Sequence, residues 1–142
     1  MDQYISVRDR LREYKNYAET MELLKVQIDE LESRITHINS TSIIAKPEEG
    51  GIKLHLQDYV SKLADMKDEY ERRYENSLKL FWDVRDLIEK LNDAIEKQIL
   101  FKYYCSEKRT NLYRISKELN YSYDWVRHKH KNAIRHLEEL ER

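Results

Sequence analysis

Residues that interrupt helices are nearly absent from this chain, and this absence constrains the fold more than any other feature of the sequence. Among 142 residues there are two glycines and one proline, and all three fall within residues 39–52, NSTSIIAKPEEGGI. Glycine and proline disfavour a helix interior most strongly, and a sheet would need the turns that such residues form. The sequence therefore predicts an all-α fold with one clear break, a loop over residues 39–53.

On both sides of the break, apolar residues recur with the alternating steps of three and four that a heptad seam requires. The seam of the first stretch comprises Tyr14, Tyr17, Met21, Leu24, Ile28, Leu31, Ile35 and Ile38. The seam of the second comprises Leu56, Tyr59, Leu63, Met66, Tyr70, Tyr74, Leu78, Phe81, Val84, Ile88, Leu91 and Ile95. Two long helices joined by one loop predict an antiparallel helical hairpin, a coiled coil over residues 1–91.

A seam between two helices is too thin to bury every apolar residue of this hairpin. Phe81 and Trp82 are adjacent, so they face different sides of a helix, and one of them needs a further surface. This motivates the hypothesis of a homodimer formed through the hairpin. A monomer in which Trp82 is a partly exposed aromatic residue is the alternative.

The last third of the chain has the pattern of short helices joined by a tight turn. Leu112, Ile115 and Leu119 give one helix a single apolar side. Asn120 follows, and asparagine tolerates the left-handed backbone that a sharp turn needs. Ser122 then stands where a helix N-cap is expected. The inner face of the next helix comprises Val126, Ala133, Ile134 and Leu137.

A further apolar stripe precedes these two helices and comprises Ile95, Ile99, Leu100 and Tyr103. Residues 92–142 are therefore predicted to form a three-helix, helix-turn-helix DNA-binding domain. The charge distribution favours the same interpretation. From Lys97 to Arg142 there are 11 Lys and Arg against 6 Asp and Glu, whereas residues 1–96 hold 15 against 21. A basic module on an acidic support indicates a polyanionic partner at one end, here double-stranded DNA.

Two sets of side chains are candidates for contact with DNA. The second helix of such a unit enters the major groove N-terminal end first. Trp125 is expected to look outward beside the base-reading candidates. The candidate base-reading residues are Tyr123, Asp124, Arg127, His128 and Lys131. The candidate phosphate-binding residues are Lys108, Arg109, Arg114, Lys117, Ser122, Lys129 and Arg135. Arg127 is the strongest candidate, because its planar donor fork fits O6 and N7 of guanine, a pair that contributes about 1–3 kcal/mol of discrimination. The alternative is that these charges form an ordinary solvated helix face.

The sequence predicts neither an enzyme nor a metal protein. Cys105 is the sole cysteine, so a disulfide framework and a thiolate zinc site are both excluded, and a small, partly buried side chain is expected there. His128 and His130 point apart on one helix, and His130 is expected to pack against the inner face. No paired-carboxylate, Ser/His or Cys/His arrangement stands out. We therefore expect no catalytic residue, no metal ligand and no cofactor.

Membrane insertion and export are likewise not expected. No apolar run approaches the roughly 18 residues that a membrane span requires, and the sequence MDQYISVRDR has no apolar core for a signal peptide. A soluble, cytoplasmic protein with no membrane partner is the expectation.

Residues Leu100 to Tyr104, Ile115 to Asn120 and Val126 with Ala133 and Ile134 have the spacing of a known pattern, and the C-terminal third resembles region 4 of bacterial sigma factors. With the hairpin in front, the chain resembles the small sigma-like late-gene regulators of phages and prophages of Gram-positive bacteria, relatives of RinA and ArpU. The resemblance implies a transcription regulator in a bacterial host that binds promoter DNA and activates phage genes. It also adds bacterial RNA polymerase to the expected partners.

Three positions depart from that pattern. Ser116 replaces the usual alanine, Asn120 replaces the usual glycine, and Lys129 lies where an apolar residue is common. Either the inner face is thinner at Lys129, or its aliphatic stem covers the core while its ammonium group reaches phosphate.

Two other functions stay open at this point. One is a DNA-recognition subunit of a phage packaging machine, although such subunits usually carry the DNA-binding end first in the chain. The other is a structural coiled-coil adaptor with a basic tail. The number of copies in solution and the effect of changing Arg127 distinguish these functions from a regulator.

Overall fold

The computed structural model describes the backbone of residues 6–42 and 50–142 and the side chains of residues 6–40 and 55–142. Within these ranges every regular element is helical, which confirms the predicted all-α class. The helices are α1 (Val7–Ser42), α2 (Gly50–Glu89), α3 (Ala94–Leu100), α4 (Leu112–Leu119) and α5 (Tyr123–Leu140). The first two form the predicted long helical hairpin, and the shorter helices follow it.

The break between α1 and α2 differs from the predicted loop at both ends. Because α1 continues through Ser42 and α2 begins at Gly50, residues 39–42 and 50–53 are helical. A glycine costs most in the middle of a helix, so a helix can begin at one with little penalty. The remainder of the predicted loop, residues 43–49, lies outside the described residues.

The chain divides into two compact units. Unit 1 comprises Met1–Ala18, described from Ser6, together with Lys79–Arg142, and unit 2 comprises Glu19–Leu78. The predicted domain boundary between residues 91 and 92 therefore falls inside unit 1. The physical reason is that the first turns of α1 and the last turns of α2 contribute apolar side chains to the same core as the C-terminal helices.

Unit 2 contains the heptad seam that the sequence predicts. Leu24 and Leu31 of α1 and Leu63 of α2 are buried. The two helices are also joined by an ion pair between Lys67 Nζ and Glu32 Oε1, at 3.1 Å. This ion pair raises the pKa of Lys67, chiefly through its hydrogen bond to Glu32.

Two predicted seam residues of α2 are exposed instead. Tyr59 is 45% exposed and Met66 is 44% exposed, whereas Ser77 occupies a buried position. A seam between two helices covers a narrow stripe, and apolar side chains beside that stripe remain in contact with solvent.

The core of unit 1 consists of two apolar clusters. The larger cluster joins α1, α2, α3 and α5 through Val7, Leu11, Tyr14, Val84, Leu87, Ile88, Leu91, Leu100, Ala133, Ile134 and Leu137. The smaller cluster joins α3, α4 and α5 through Ile99, Ile115 and Val126. Adjacent residues at the end of α3, Ile99 and Leu100, thus enter different clusters. After Leu100 the helix continues as a π-helical turn, Phe101–Cys105.

Of the two adjacent aromatic residues in α2, Phe81 is the one that packs in unit 1. Its ring stacks on Tyr14 with 4.7 Å between centroids, and Tyr14 accepts a hydrogen bond from Arg85 at 3.0 Å. Trp82 meets the edge of Phe81 and is 51% exposed. Cys105 is half-buried, as expected, and burial raises the pKa of its thiol to about 11.

The core predicts that two leucines of unit 1 contribute differently to the free energy of unfolding. Leu11 is 1% exposed and Leu140 is 49% exposed. Leu11→Ala should lower the free energy of unfolding by about 2–5 kcal/mol, because it leaves a cavity beneath α5. Leu140→Ala should change it by no more than about 0.5 kcal/mol. Urea titration followed by tryptophan fluorescence measures both, since Trp82 and Trp125 lie in unit 1. Equal effects of the two substitutions would contradict this account of the core.

Candidate nucleic-acid interface

The turn between α4 and α5 has the geometry that the sequence predicts. Asn120 is in the left-handed region, with φ 60° and ψ 38°, and the N–H of Tyr121 donates to the carbonyl oxygen of Ser116 at 3.1 Å. The hydroxyl of Ser122 accepts from the backbone N–H of Trp125 at 3.2 Å. Both the αL residue and the N-cap are therefore confirmed. They fix the point at which α5 begins and the direction in which it leaves α4.

The burial of α5 separates its side chains into two faces. The buried side chains are the four predicted for the inner face, Val126, Ala133, Ile134 and Leu137. All five candidate base-reading residues are exposed, namely Tyr123, Asp124, Arg127, His128 and Lys131. Their spacing of three and four residues brings them to one side of the N-terminal half of the helix.

Aromatic rings and cations alternate on this exposed face. The guanidinium of Arg127 lies 5.7 Å from the ring centroid of Tyr123, and Tyr123 meets the ring of Tyr113 from α4 at 6.0 Å. The ammonium of Lys117 lies 5.2 Å from the ring of Tyr113. Tyr113 is exposed and was missed by the sequence analysis, although its place one residue after Leu112 on an apolar-sided helix puts it outside the buried stripe.

Asp124 is the one acidic residue on the predicted recognition face. Among the described side chains it forms no ion pair with Arg127. It lies near the N-terminal end of α5, where the helix macrodipole favours a negative charge.

Lys129 differs from the other phosphate candidates. Its ammonium lies 2.6 Å from Oδ2 of Asp93 and 5.3 Å from the ring of Trp125. Asp93 in turn caps α3 by accepting from the backbone N–H groups of Ile95 and Glu96. The hydrogen bond to Lys129 lowers the pKa of Asp93, and the same bond raises the pKa of Lys129. This lysine therefore ties α5 to the start of α3.

The hydroxyl of Ser122 is likewise engaged, because it caps α5. The remaining phosphate candidates are exposed and lie on three segments. Lys108 and Arg109 precede α4, Arg114 and Lys117 lie on α4, and Arg135 lies on α5, where it donates to Asn132 at 2.9 Å. Among the described side chains, none of these five forms an ion pair.

Two histidines of α5 make interhelical contacts. Nε2 of His130 lies 2.8 Å from the hydroxyl of Tyr104, and Nδ1 of His136 lies 2.9 Å from the carboxylate of the buried Glu96. Burial lowers the pKa of His130, and the charge of Arg8 adds to this effect. Burial also raises the pKa of Tyr104 to about 12. His130 thus packs against the inner side of the helix, as the sequence predicts.

Within residues 6–42 and 50–142, no three His, Cys, Asp or Glu residues are grouped in a way that would hold a metal ion. In the same part of the chain, no helix combines the length and the apolar character needed to cross a bilayer.

Comparisons with protein family models, with curated proteins and with solved structures found no match to this chain. The geometry and charge of unit 1 therefore carry the functional inference.

The lowered pKa of His130 makes stability depend on pH. In the unfolded chain the imidazole takes up a proton near pH 6.5, whereas the folded protein resists protonation until a lower pH. The contribution of His130 is therefore fully present above about pH 6.5 and is lost as the pH falls towards the lower folded pKa. His130→Gln should reduce the dependence of the free energy of unfolding on pH in this window.

The matched control is His128→Gln, which removes an exposed imidazole from the same helix and should keep the slope of the original protein. Urea titrations at a series of pH values measure both slopes. A His130→Gln variant with the original slope would show that the buried imidazole is not responsible.

Proposed function

We propose that this protein is a sequence-specific double-stranded DNA-binding regulator of transcription, which inserts the N-terminal half of α5 into the major groove. The observation that carries this proposal is the exposed face of α5. A left-handed turn and a capped helix start present Arg127, His128 and Lys131 together on one side, while the opposite side is buried. A helix so presented fits the width of the major groove of B-DNA.

The charge of the two units supports a polyanionic partner for unit 1. Unit 1 contains 18 Lys and Arg against 14 Asp and Glu, whereas unit 2 contains 8 against 13. The net positive charge therefore lies in the unit that contains α5. The positive charge of unit 1 attracts DNA, whereas the net negative charge of unit 2 disfavours contact between DNA and unit 2.

The exposed candidate side chains divide into base readers and phosphate contacts in the proposed complex. Arg127 reads guanine through its donor fork, and Tyr123 and His128 contact neighbouring base edges. The exposed cations outside this face bind backbone phosphates and supply affinity without sequence information. They are Lys108, Arg109, Arg114, Lys117 and Arg135. Lys129 and Ser122 are omitted from this set because the Asp93 ion pair and the helix cap engage them.

The regulatory part of the proposal rests on the resemblance to sigma factor region 4 and to phage late-gene regulators. It implies activation of phage genes in the cytoplasm of a bacterial host, with RNA polymerase as a second partner. A packaging subunit and a coiled-coil adaptor are set aside, since no feature of the described residues favours them over a regulator.

Unit 2 supports a homodimer formed through the hairpin. Leu23 is 60% exposed and Val26 is 56% exposed, and they lie one turn apart on α1, while Tyr59 and Met66 are exposed on α2. A second copy of the same hairpin supplies a matching apolar surface, and a symmetric pair carries two DNA-binding units to two half-sites. Apolar side chains of this size gain free energy when such a contact removes them from water.

Arg127→Ala tests base reading. Duplexes selected from random DNA by the original protein should share a motif that contains a guanine. The variant should lose its preference for that guanine, which corresponds to about 1–3 kcal/mol of binding discrimination. Arg135→Ala is the matched control, because loss of a phosphate contact weakens binding to all sequences alike. If Arg127→Ala selects the same motif with the same stringency, the assignment of base reading is wrong. If the original protein binds no duplex, the proposed function is wrong.

The dimer is tested by the mass in solution. Sedimentation equilibrium of the original protein should give twice the chain mass of 17.4 kDa, and Leu23→Glu with Val26→Glu should give the mass of one chain. The variant carrying Lys62→Glu, an exposed position of the same unit, serves as the charge control. A single chain at all concentrations would contradict the dimer, and a ring of eight or more copies would favour the packaging function.

A further inference from the structure

A groove of about 450 Å³ lies beside α5 in unit 1, and its walls come from three helices. α1 contributes Arg8, α4 contributes Leu112, and α5 contributes Asp124, Arg127, His130 and Lys131, among others. Three cationic side chains and one carboxylate thus line the same groove. An arrangement of this kind suits an anion, because a phosphate oxygen is attracted to several donors at once.

Arg8 is the unexpected member of this group, since the sequence analysis assigned its helix to the hairpin. It lies in the first turn of α1, where Ser6 caps the helix by accepting from the N–H of Asp9 at 3.2 Å. The helix macrodipole is positive at this end, so the guanidinium is not stabilised by its own helix. Its position is set by the core below, because Val7 and Leu11 of the same turns are buried against α5.

In the free protein Arg8 forms an ion pair with Glu138 of α5. Nε lies 3.6 Å from Oε1, and the two side chains are 51% and 45% exposed. Ion pairs exposed to this degree contribute little to stability and are weakened by salt. Arg8 can therefore exchange this carboxylate for another anion at small cost.

We propose that the groove binds a phosphate of the DNA backbone between Arg8 and Lys131, so that the start of α1 belongs to the DNA-binding surface and Lys131, first considered a base reader, contacts the backbone instead. This inference rests on the proposed function and deepens it. The alternatives are that Arg8 contacts a base edge or that the groove binds a free phosphate ion. The contact that Arg8 makes with α5 distinguishes a base edge from the backbone.

Arg8 lines the groove together with Arg127 and Lys131, and its guanidinium pairs with Glu138 in the C-terminal half of α5. Between Arg127 and Glu138 the helix rises by about 16 Å, at 1.5 Å per residue. Because the recognition helix enters the groove with its N-terminal end, its C-terminal half lies towards the rim of the major groove, where the sugar–phosphate backbone runs. A guanidinium that pairs with Glu138 therefore lies on the backbone side of Arg127, and we expect it to contact phosphate.

The test compares Arg8→Gln with the original full-length protein on the duplex selected from random DNA. Loss of one phosphate contact should weaken binding about three- to tenfold at physiological salt and reduce the slope of log K against log salt by about 0.9. The selected motif should not change. Arg8→Lys should keep most of the slope, because the positive charge remains.

Two further variants complete the design. Arg34→Gln makes the same change at an exposed position of α1 in unit 2 and should leave the slope unchanged. Glu138→Gln removes the competing carboxylate and should strengthen binding. Circular dichroism melting of each variant checks that the fold is kept. We expect it to be kept, because the side chain of Arg8 is exposed.

The outcomes separate the two proposals. If the original protein binds DNA and Arg8→Gln binds it with the same affinity and the same salt dependence, the proposed phosphate site is wrong and the proposed function stands. If Arg8→Gln changes the selected motif, Arg8 contacts a base and the backbone assignment is overturned. If inorganic phosphate protects unit 1 against unfolding in the original protein as well as in Arg8→Gln, the anion binds elsewhere. If the original protein binds no DNA, both proposals fail together.

Discussion

The burial of one side of α5 is the constraint on which the rest of unit 1 depends. Val126 enters the smaller apolar cluster, whereas Ala133, Ile134 and Leu137 enter the larger one. Two clusters at different heights along α5 fix its rotation as well as its position. Rotation of α5 about its own axis would expose buried side chains of both clusters. The exposed face is thereby determined, and it is the face that carries Arg127, His128 and Lys131.

Polar contacts refine this orientation at the edges of the clusters. Lys129 reaches the N-cap of α3 and His136 reaches the buried Glu96, so α5 is joined to α3 at two points seven residues apart. Glu96 is nearly inaccessible to solvent, and a buried carboxylate without a partner is costly. The two contacts thus favour one alignment of α5 against α3. Such fixation favours the proposed contact with DNA, because little ordering of α5 would remain to be done on binding.

Local rules were sufficient to predict the parts of the fold that depend on a few neighbouring residues. The left-handed residue Asn120, the cap at Ser122 and the inner face of α5 all follow from turn chemistry and from helical periodicity. The heptad seam around Leu24 and Leu31 follows from the same periodicity.

Such local rules did not predict the contacts between residues far apart in the sequence. The ion pair of Lys129 joins it to a residue 36 positions away, and a lysine on a basic helix gives no sign of that partner. The exposure of Tyr59 and Met66 depends on the width of the stripe that the facing helix covers. The spacing of apolar residues in α2 does not determine that width. The break at 39–53 was predicted too long, because Gly50 and Gly51 begin a helix there instead of ending one.

The place of Arg8 shows most clearly why the division into hairpin and DNA-binding domain could not be drawn from sequence. A heptad continues upstream through Val7 and Leu11, and on α1 alone these residues look like the end of a coiled coil. In the fold they are core residues of unit 1, packed with Leu100 and Leu137. The same packing sets Arg8 beside α5, so that a residue near the start of the chain and one near its end line a single groove. The cationic surface of unit 1 therefore includes Arg8 of α1 as well as the side chains of the C-terminal third.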